Sequence, residues 1–204
     1  MFEMAKPLDG NEILEQLKLL ADWIRVKYPG DHFELVLVGG AAMALDGHKE
    51  QTRDVDVIRP EILPEAIVKG VASIGKIRRL GPRWLNSDVA NMLQNSTRSV
   101  VLPDYFKEVS RSIEFGDSLR ISLIGRQAMI SLKLYASTPS YGKHTDDINR
   151  LKPTALEITE AVRFVLSIDD TDVRKDDLRA VLKNLRFDFD GILRNIEAGS
   201  KRTH

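Results

Sequence analysis

The chain of 204 residues contains no cysteine. Disulfide scaffolds, thiol nucleophiles and cysteine-ligated zinc are thereby excluded, and a reducing compartment is permitted. Net charge is also lacking, because 30 Lys and Arg side chains meet 30 Asp and Glu. Proteins whose main task is to coat nucleic acid or an anionic membrane carry a basic excess, so only local basic patches stay open as a route to such partners. No stretch comes near the roughly 18 uninterrupted apolar residues of a membrane helix, and no membrane partner is expected. Residues 1–10 carry Glu3, Lys6 and Asp9 with no long apolar core. They do not read as a secretory signal, and the expected location is cytoplasmic. The histidines, at 32, 48, 144 and 204, are too scattered for a histidine-rich metal site. Neither an internal repeat nor a low-complexity tract is present.

What is present is the balance of a soluble globular chain, 43% hydrophobic and 29% charged, long enough for one domain or a compact domain with a small appendage. From Asn11 to Tyr28, Ile13, Leu17, Leu20, Ile24 and Tyr28 recur at helical spacing, and Asp9 with Glu12 resembles a capping box. Pro29-Gly30 ends that helix, and Phe33 to Val38 is a short β-rich apolar run ending at Gly39-Gly40. A helical turn over Ala41 to Leu45 leads to a polar loop and then to a second strand over Asp54 to Ile58. Pro64 to Ile77 reads as a helix, and residues 81–95 carry weak signals. Strands are expected at Val100 to Leu102, Ser112 to Phe115 and Leu119 to Ile124, the last two as a hairpin through Gly116-Asp117. Beyond Gly125, Gln127 to Ala136, Ala155 to Leu166 and Arg174 to Leu185 are helical by period. The expected organisation is an α/β part over 1–125 and a helical part over 126–204. Lys201-Arg202 reads as a frayed tail.

The chemistry sits in Val38-Gly39-Gly40, thirteen residues, then Asp54-Val55-Asp56-Val57. Side chains alternate faces along a strand, so Asp54 and Asp56 point the same way and are able to share a cation. Hard divalent metals take oxygen ligands and keep waters for substrate phosphates, which suits such a pair. Glycines without a Cβ let a phosphate approach the backbone. Separately, each half is also what an acid-bearing solvated strand or a tight turn looks like. It is their order, strand, Gly-Gly, short helix, loop with Arg53, then Asp-x-Asp, that carries information.

That order resembles the nucleotidyltransferase superfamily with the polymerase-β-like fold, and within it the subgroup of AbiEii-type abortive-infection toxins and DUF6036-type proteins. In that subgroup a Gly-x-x-Arg-x-Thr-like loop precedes the acids, where this chain has Thr52-Arg53. A second stretch is similar too: Leu132-Lys133-Leu134-Tyr135-Ala136, then Lys143-His144-Thr145-Asp146-Asp147-Ile148. The resemblance spans about Leu35 to Leu151 and implies an α+β fold, with a nucleotidyltransferase-type mixed sheet flanked by helices and a C-terminal helical part. It implies Asp54 and Asp56 as catalytic ligands of Mg2+ (or Mn2+), with Gly39, Gly40, Arg53, Lys143, Asp146 and Asp147 at the nucleotide. Lys133 is read either as a catalytic cation over the triphosphate or as a snorkelling lysine. Asp146 and Asp147 orient that lysine, contact the nucleotide or cap the next helix. His48 is read as a solvated loop residue or a phosphate contact.

Active superfamily members usually add a third acid from a later strand, for which Glu114, Asp88 and Asp104 are the candidates. The implied activity is transfer of a nucleotidyl group from an NTP to an acceptor hydroxyl on a transfer RNA, a protein or a small molecule. A role as one half of a toxin–antitoxin pair with a cognate antitoxin is part of the same expectation. The other reading is a non-catalytic nucleotide- or protein-binding module on the same fold. Trp23, Trp84, Met43, Met129, Phe164 and Phe187 are assigned to the core, and Asp169 to Lys175 to a turn and helix cap.

Overall fold

Helix α1 (Gly10–Lys27) starts where Asp9 accepts the Glu12 backbone N–H at 2.8 Å and the Glu12 carboxylate accepts the Asp9 N–H at 3.0 Å. This reciprocal cap is worth about 1 kcal/mol. Ile13, Leu17, Leu20 and Ile24 form its buried stripe, the expected helical face. The structure, a computed structural model, describes residues 6–94, 101–140 and 142–200, with side chains as far as 198. The chain divides into two compact units, Met1–Asn95 with Lys107–Gly125 and Ser96–Phe106 with Arg126–His204.

The first unit is a five-stranded mixed sheet with helices against it. After α1 come β1 (Phe33–Val38), α2 (Gly39–Leu45), β2 (Val55–Arg59), α3 (Glu65–Arg78), β3 (Leu85–Asn86), α4 (Asp88–Gln94), β4 (Val109–Phe115) and β5 (Leu119–Ile124). The strand order is β3-β2-β1-β5-β4. β1 is antiparallel to β2 and parallel to β5, β2 is parallel to β3, and β4 pairs antiparallel with β5. Central β1 is buried from Leu35 to Val38, which explains its continuous apolar run in place of alternation. Trp84 packs in the core with its indole N–H donating to the Val71 carbonyl at 3.0 Å.

The α+β class and the mixed sheet agree with the expectation, and several local readings need correction. The short helix starts at Gly39, so the glycine doublet is its first turn rather than a turn ahead of it. β3 and α4 occupy the segment whose signals were weak, and α4 is opened by the Asn86 side chain accepting the Asp88 N–H at 2.8 Å. Val101 and Leu102 are irregular, not strand, and Val100 lies outside the described residues, as does the Lys201-Arg202 tail. A seven-residue β4 extends the expected Ser112 to Phe115 backwards to Val109.

The second unit is helical: α5 (Arg126–Ala136), α6 (Lys143–Leu151), α7 (Ala155–Ile168), α8 (Asp172–Asn184) and α9 (Phe189–Ser200). Thr154 and Glu157 form a capping box for α7, and Thr171 caps α8. The Phe106 and Phe164 rings pack 4.9 Å apart, and Ile130, Leu134, Val162 and Leu182 of the same unit are buried. The end of α5 is closed by Arg174, whose guanidinium donates to the carbonyls of Leu134, Tyr135 and Ser137 at 3.2, 2.5 and 3.1 Å.

Candidate functional site

The glycine doublet follows directly on β1, whose last residue, Val38, pairs with Asp56 of β2. Gly39 has φ +67°, and a Cβ built there would stand 2.8 Å from Asp56 Oδ2. Two independent features therefore disfavour other residues: the left-handed backbone, and a carboxylate packed against the bare Cα. Gly40 is buried, and a Cβ on it would overlap the Thr52 hydroxyl. Thr52 is itself buried and exchanges backbone hydrogen bonds with Leu8 in both directions, at 2.6 and 2.8 Å. Its hydroxyl donates to Asp54 Oδ1 at 3.3 Å. Gly39, Gly40, Thr52, Asp54 and Asp56 thus gather at one end of the β1/β2 pair.

Asp56 lies within β2 and is half-buried, whereas Asp54 is the exposed residue immediately before the strand. This corrects the expectation that both acids ride on the strand. An exposed and a half-buried carboxylate, both hard oxygen donors, suit a magnesium-type ion that retains waters. Among the described residues, no group of three or more His, Cys, Asp or Glu side chains is placed to hold a metal.

The third-acid candidates sort by topology. Asp56 is in register with Asn86 on β3, and register partners in a sheet share a face about 5 Å apart. A buried carboxamide, not a carboxylate, is what the neighbouring strand brings beside Asp56. Asp88 opens α4 and is ion-paired with Arg83. Glu114 sits on β4, two strands beyond β1, level with Arg120 and through it with Glu34 near the far end of β1. It is bonded to Arg120 at 2.5 Å and is not brought to the pair. Asp104 belongs to the helical unit.

Arg53 and His48 are exposed on the loop before β2. Lys133 and Asp147 meet inside the helical unit: Nζ donates to Asp147 Oδ2 at 2.6 Å, with the side chains only 6% and 3% exposed. Of the roles open to Asp147, holding the lysine is the one its geometry displays. Lys143 and Asp146 are exposed on the first turn of α6. Asn86 is not singled out by sequence, and Thr52 enters there only beside Arg53 in the loop before the acids, with no role of its own. Thr52 lies two residues before Asp54, as Asp54 does before Asp56, and this spacing is the signal that could have marked it.

The contact between Gly39 and Asp56 is open to a double-mutant cycle. Gly39→Ala is expected to cost about 1–3 kcal/mol in urea unfolding. Part of the loss should be recovered in the Asp56→Ala background, because the carboxylate contact is then gone while the backbone strain remains. Strictly additive losses would show that the two groups do not touch. Comparison of the chain with protein families, with curated proteins and with solved structures returns no match.

Proposed function

We propose that the glycine doublet with Asp54 and Asp56 is the donor site of a nucleotidyltransferase. The observation that supports this most is the packing of the Asp56 carboxylate against the bare Cα of Gly39, with Asp54 tied in through Thr52. On this reading a triphosphate approaches the glycine main chain while the acids hold its cation. Mg2+ or Mn2+, held by Asp54 and Asp56, would neutralise phosphate charge. In the reaction an acceptor hydroxyl attacks the α-phosphate in line. The new oxygen–phosphorus bond replaces the bond to the β-phosphate oxygen, pyrophosphate leaves, and the hydroxyl proton passes to solvent. Such transfers depend on positioning and charge neutralisation more than on covalent chemistry. The acceptor belongs to a transfer RNA, a protein or a small alcohol, and a toxin role with a cognate antitoxin accompanies the resemblance.

Asn86 favours a second reading. With a carboxamide beside Asp56 where a third acid would stand, the same site binds nucleotide without turning it over. Labelled-NTP transfer and pyrophosphate release, measured beside calorimetry with NTPs and magnesium, separate the two. Transfer by the natural chain that falls on the order of 10³-fold in Asp54→Asn/Asp56→Asn supports the enzyme. Binding without pyrophosphate release supports the second reading. Unchanged labelling by the double variant defeats the first, and absence of NTP binding defeats both.

A further inference from the structure

The two edges of the sheet differ. β3 is two residues long, and brevity is one way in which an edge is kept from pairing with another chain, whereas β4 closes the other side with seven residues. From Arg111 to Phe115 its pairing with β5 is regular, with Arg111 beside Leu123 and Phe115 beside Leu119, and the irregularity lies ahead of that stretch, between Val109 and Arg111. The direction of the main-chain groups follows from the neighbouring strands. The Phe33 N–H donates to the Ser118 carbonyl at 3.0 Å, so the even-numbered residues of β5 turn their main chain to β1, and Leu119, Ile121 and Leu123 turn theirs to β4. Their register partners Phe115, Ile113 and Arg111 answer them, which leaves the N–H and C=O of Ser112 and Glu114 directed out of the sheet. Both residues are exposed, and those groups meet no partner among the described residues. Unpaired main-chain donors and acceptors on a strand of this length are a template for a further strand.

The side chains select the partner. Antiparallel pairing of β4 with its own copy about a two-fold axis sets one residue opposite itself, and like charges placed opposite each other are destabilising. An axis at Arg111 or Glu114 opposes two charges of one sign. An axis at Ser112 draws Ser110 of the irregular stretch opposite Glu114, and one at Phe115 runs into the Gly116-Asp117 turn. An axis at Ile113 uses the whole regular stretch: Ile113 meets Ile113, while Arg111 faces the second copy's Phe115 and Ser112 its Glu114. A cation then lies beside an aromatic ring and a hydroxyl beside a carboxylate, both pairs repeated by the symmetry. Ser112 and Glu114 of each copy exchange both main-chain bonds with Glu114 and Ser112 of the other. The formal net charge of zero puts no long-range repulsion between copies. We propose that β4 is a self-association edge, through which two copies of the chain join their sheets about a two-fold axis at Ile113. The edge contains none of the groups of the donor site, so it stands apart from the nucleotidyltransferase reading.

The absence of cysteine makes the register directly testable on the full chain. Opposed residues at a non-hydrogen-bonded position stand about 4.5 Å apart at Cα, within the span that a disulfide bridges. Under oxidised glutathione, Ile113→Cys is expected to form a covalent dimer at least about tenfold faster than Ser112→Cys, because the paired strands hold its two thiols together. Collision alone would favour the opposite order, since Ser112 is exposed and Ile113 half-buried. Sedimentation of the natural chain at concentrations up to about 0.5 mM, the range suited to a small interface, should show the dimer. Ser112→Pro should abolish it and keep the far-UV ellipticity, because the N–H that proline removes points out of the sheet. A natural chain that stays monomeric over that range leaves the edge to a strand of another protein and overturns the proposal. So does a dimer that Ser112→Pro leaves intact, or a Ser112→Cys dimer that forms as fast as the Ile113→Cys dimer. Should Ser112→Pro lose its fold, the two cysteine variants decide alone.

Discussion

Replacing Asp147 with Asn is expected to cost the helical unit about 3–5 kcal/mol, because it leaves the Lys133 ammonium buried opposite a neutral amide. The two side chains are 6% and 3% exposed and meet at 2.6 Å, so neither charge has recourse to bulk water. Lys133→Met should be comparably damaging, since it strands the carboxylate instead. The paired replacement Lys133→Met/Asp147→Leu is expected to fall near the natural chain, as buried ion pairs exchanged for apolar side chains of similar volume are often neutral or stabilising. Urea unfolding followed by far-UV ellipticity measures this, because both tryptophans, Trp23 and Trp84, lie in the other unit. Losses under about 1 kcal/mol for both single variants, the range of exposed pairs, would mean that water reaches the pair and that its burial is wrongly placed.

Arg174→Met is expected to be of similar size, about 3–5 kcal/mol, for a different reason. The last carbonyls of a helix have no partners inside it, and at and beyond the end of α5 those of Tyr135 and Ser137 accept from one guanidinium, which also shares the Leu134 carbonyl with the Ser137 N–H at 3.1 Å. Arg174 is 9% exposed and also stands 5.7 Å over the Tyr135 ring. Methionine fills the space and donates nothing, so the Tyr135 and Ser137 carbonyls lose this donor at once while Leu134 keeps the Ser137 N–H. Burial lowers the Arg174 pKa from its ordinary value, the desolvation outweighing nearby Asp177 and Asp169, yet guanidinium remains charged at any pH used for folding. Arg174→Lys keeps the charge and loses the planar fork, so stability should rank natural chain, Lys, then Met. A lysine variant as stable as the natural chain would mean that charge alone closes the helix end.

Much of the frame was legible because its signals are local. Asp9 and Glu12 announce α1, the FELVLV run delimits β1, and Gly116-Asp117 marks the turn between β4 and β5. What was not legible depends on partners distant in sequence. β3 has two residues, too few for any period, and exists because Val55 and Asp56 offer Leu85 and Asn86 an edge. A strand is expected at Val100 to Leu102, a run of three residues, and Val101 and Leu102 have no ladder among the described residues. At the site, Gly39, Gly40, Asp54 and Asp56 could be read from type and spacing. The reason the glycines are needed could not be, since it lies in the Asp56 carboxylate and the Thr52 hydroxyl pressing on them. Lys133 could be noticed but its neighbour could not, because helical period says which face a lysine occupies and not which carboxylate meets it.

The ladder between Leu8 and Thr52 has a practical corollary. The loop that presents Asp54 is held to Leu8, ahead of the first helix, by the two hydrogen-bond rungs of one isolated bridge, so a tether pulled from that end tugs on the residue whose hydroxyl meets the acid. An affinity handle fused upstream of Lys6 would not be a silent passenger in a metal-binding assay. Purification through the opposite terminus leaves those rungs unloaded.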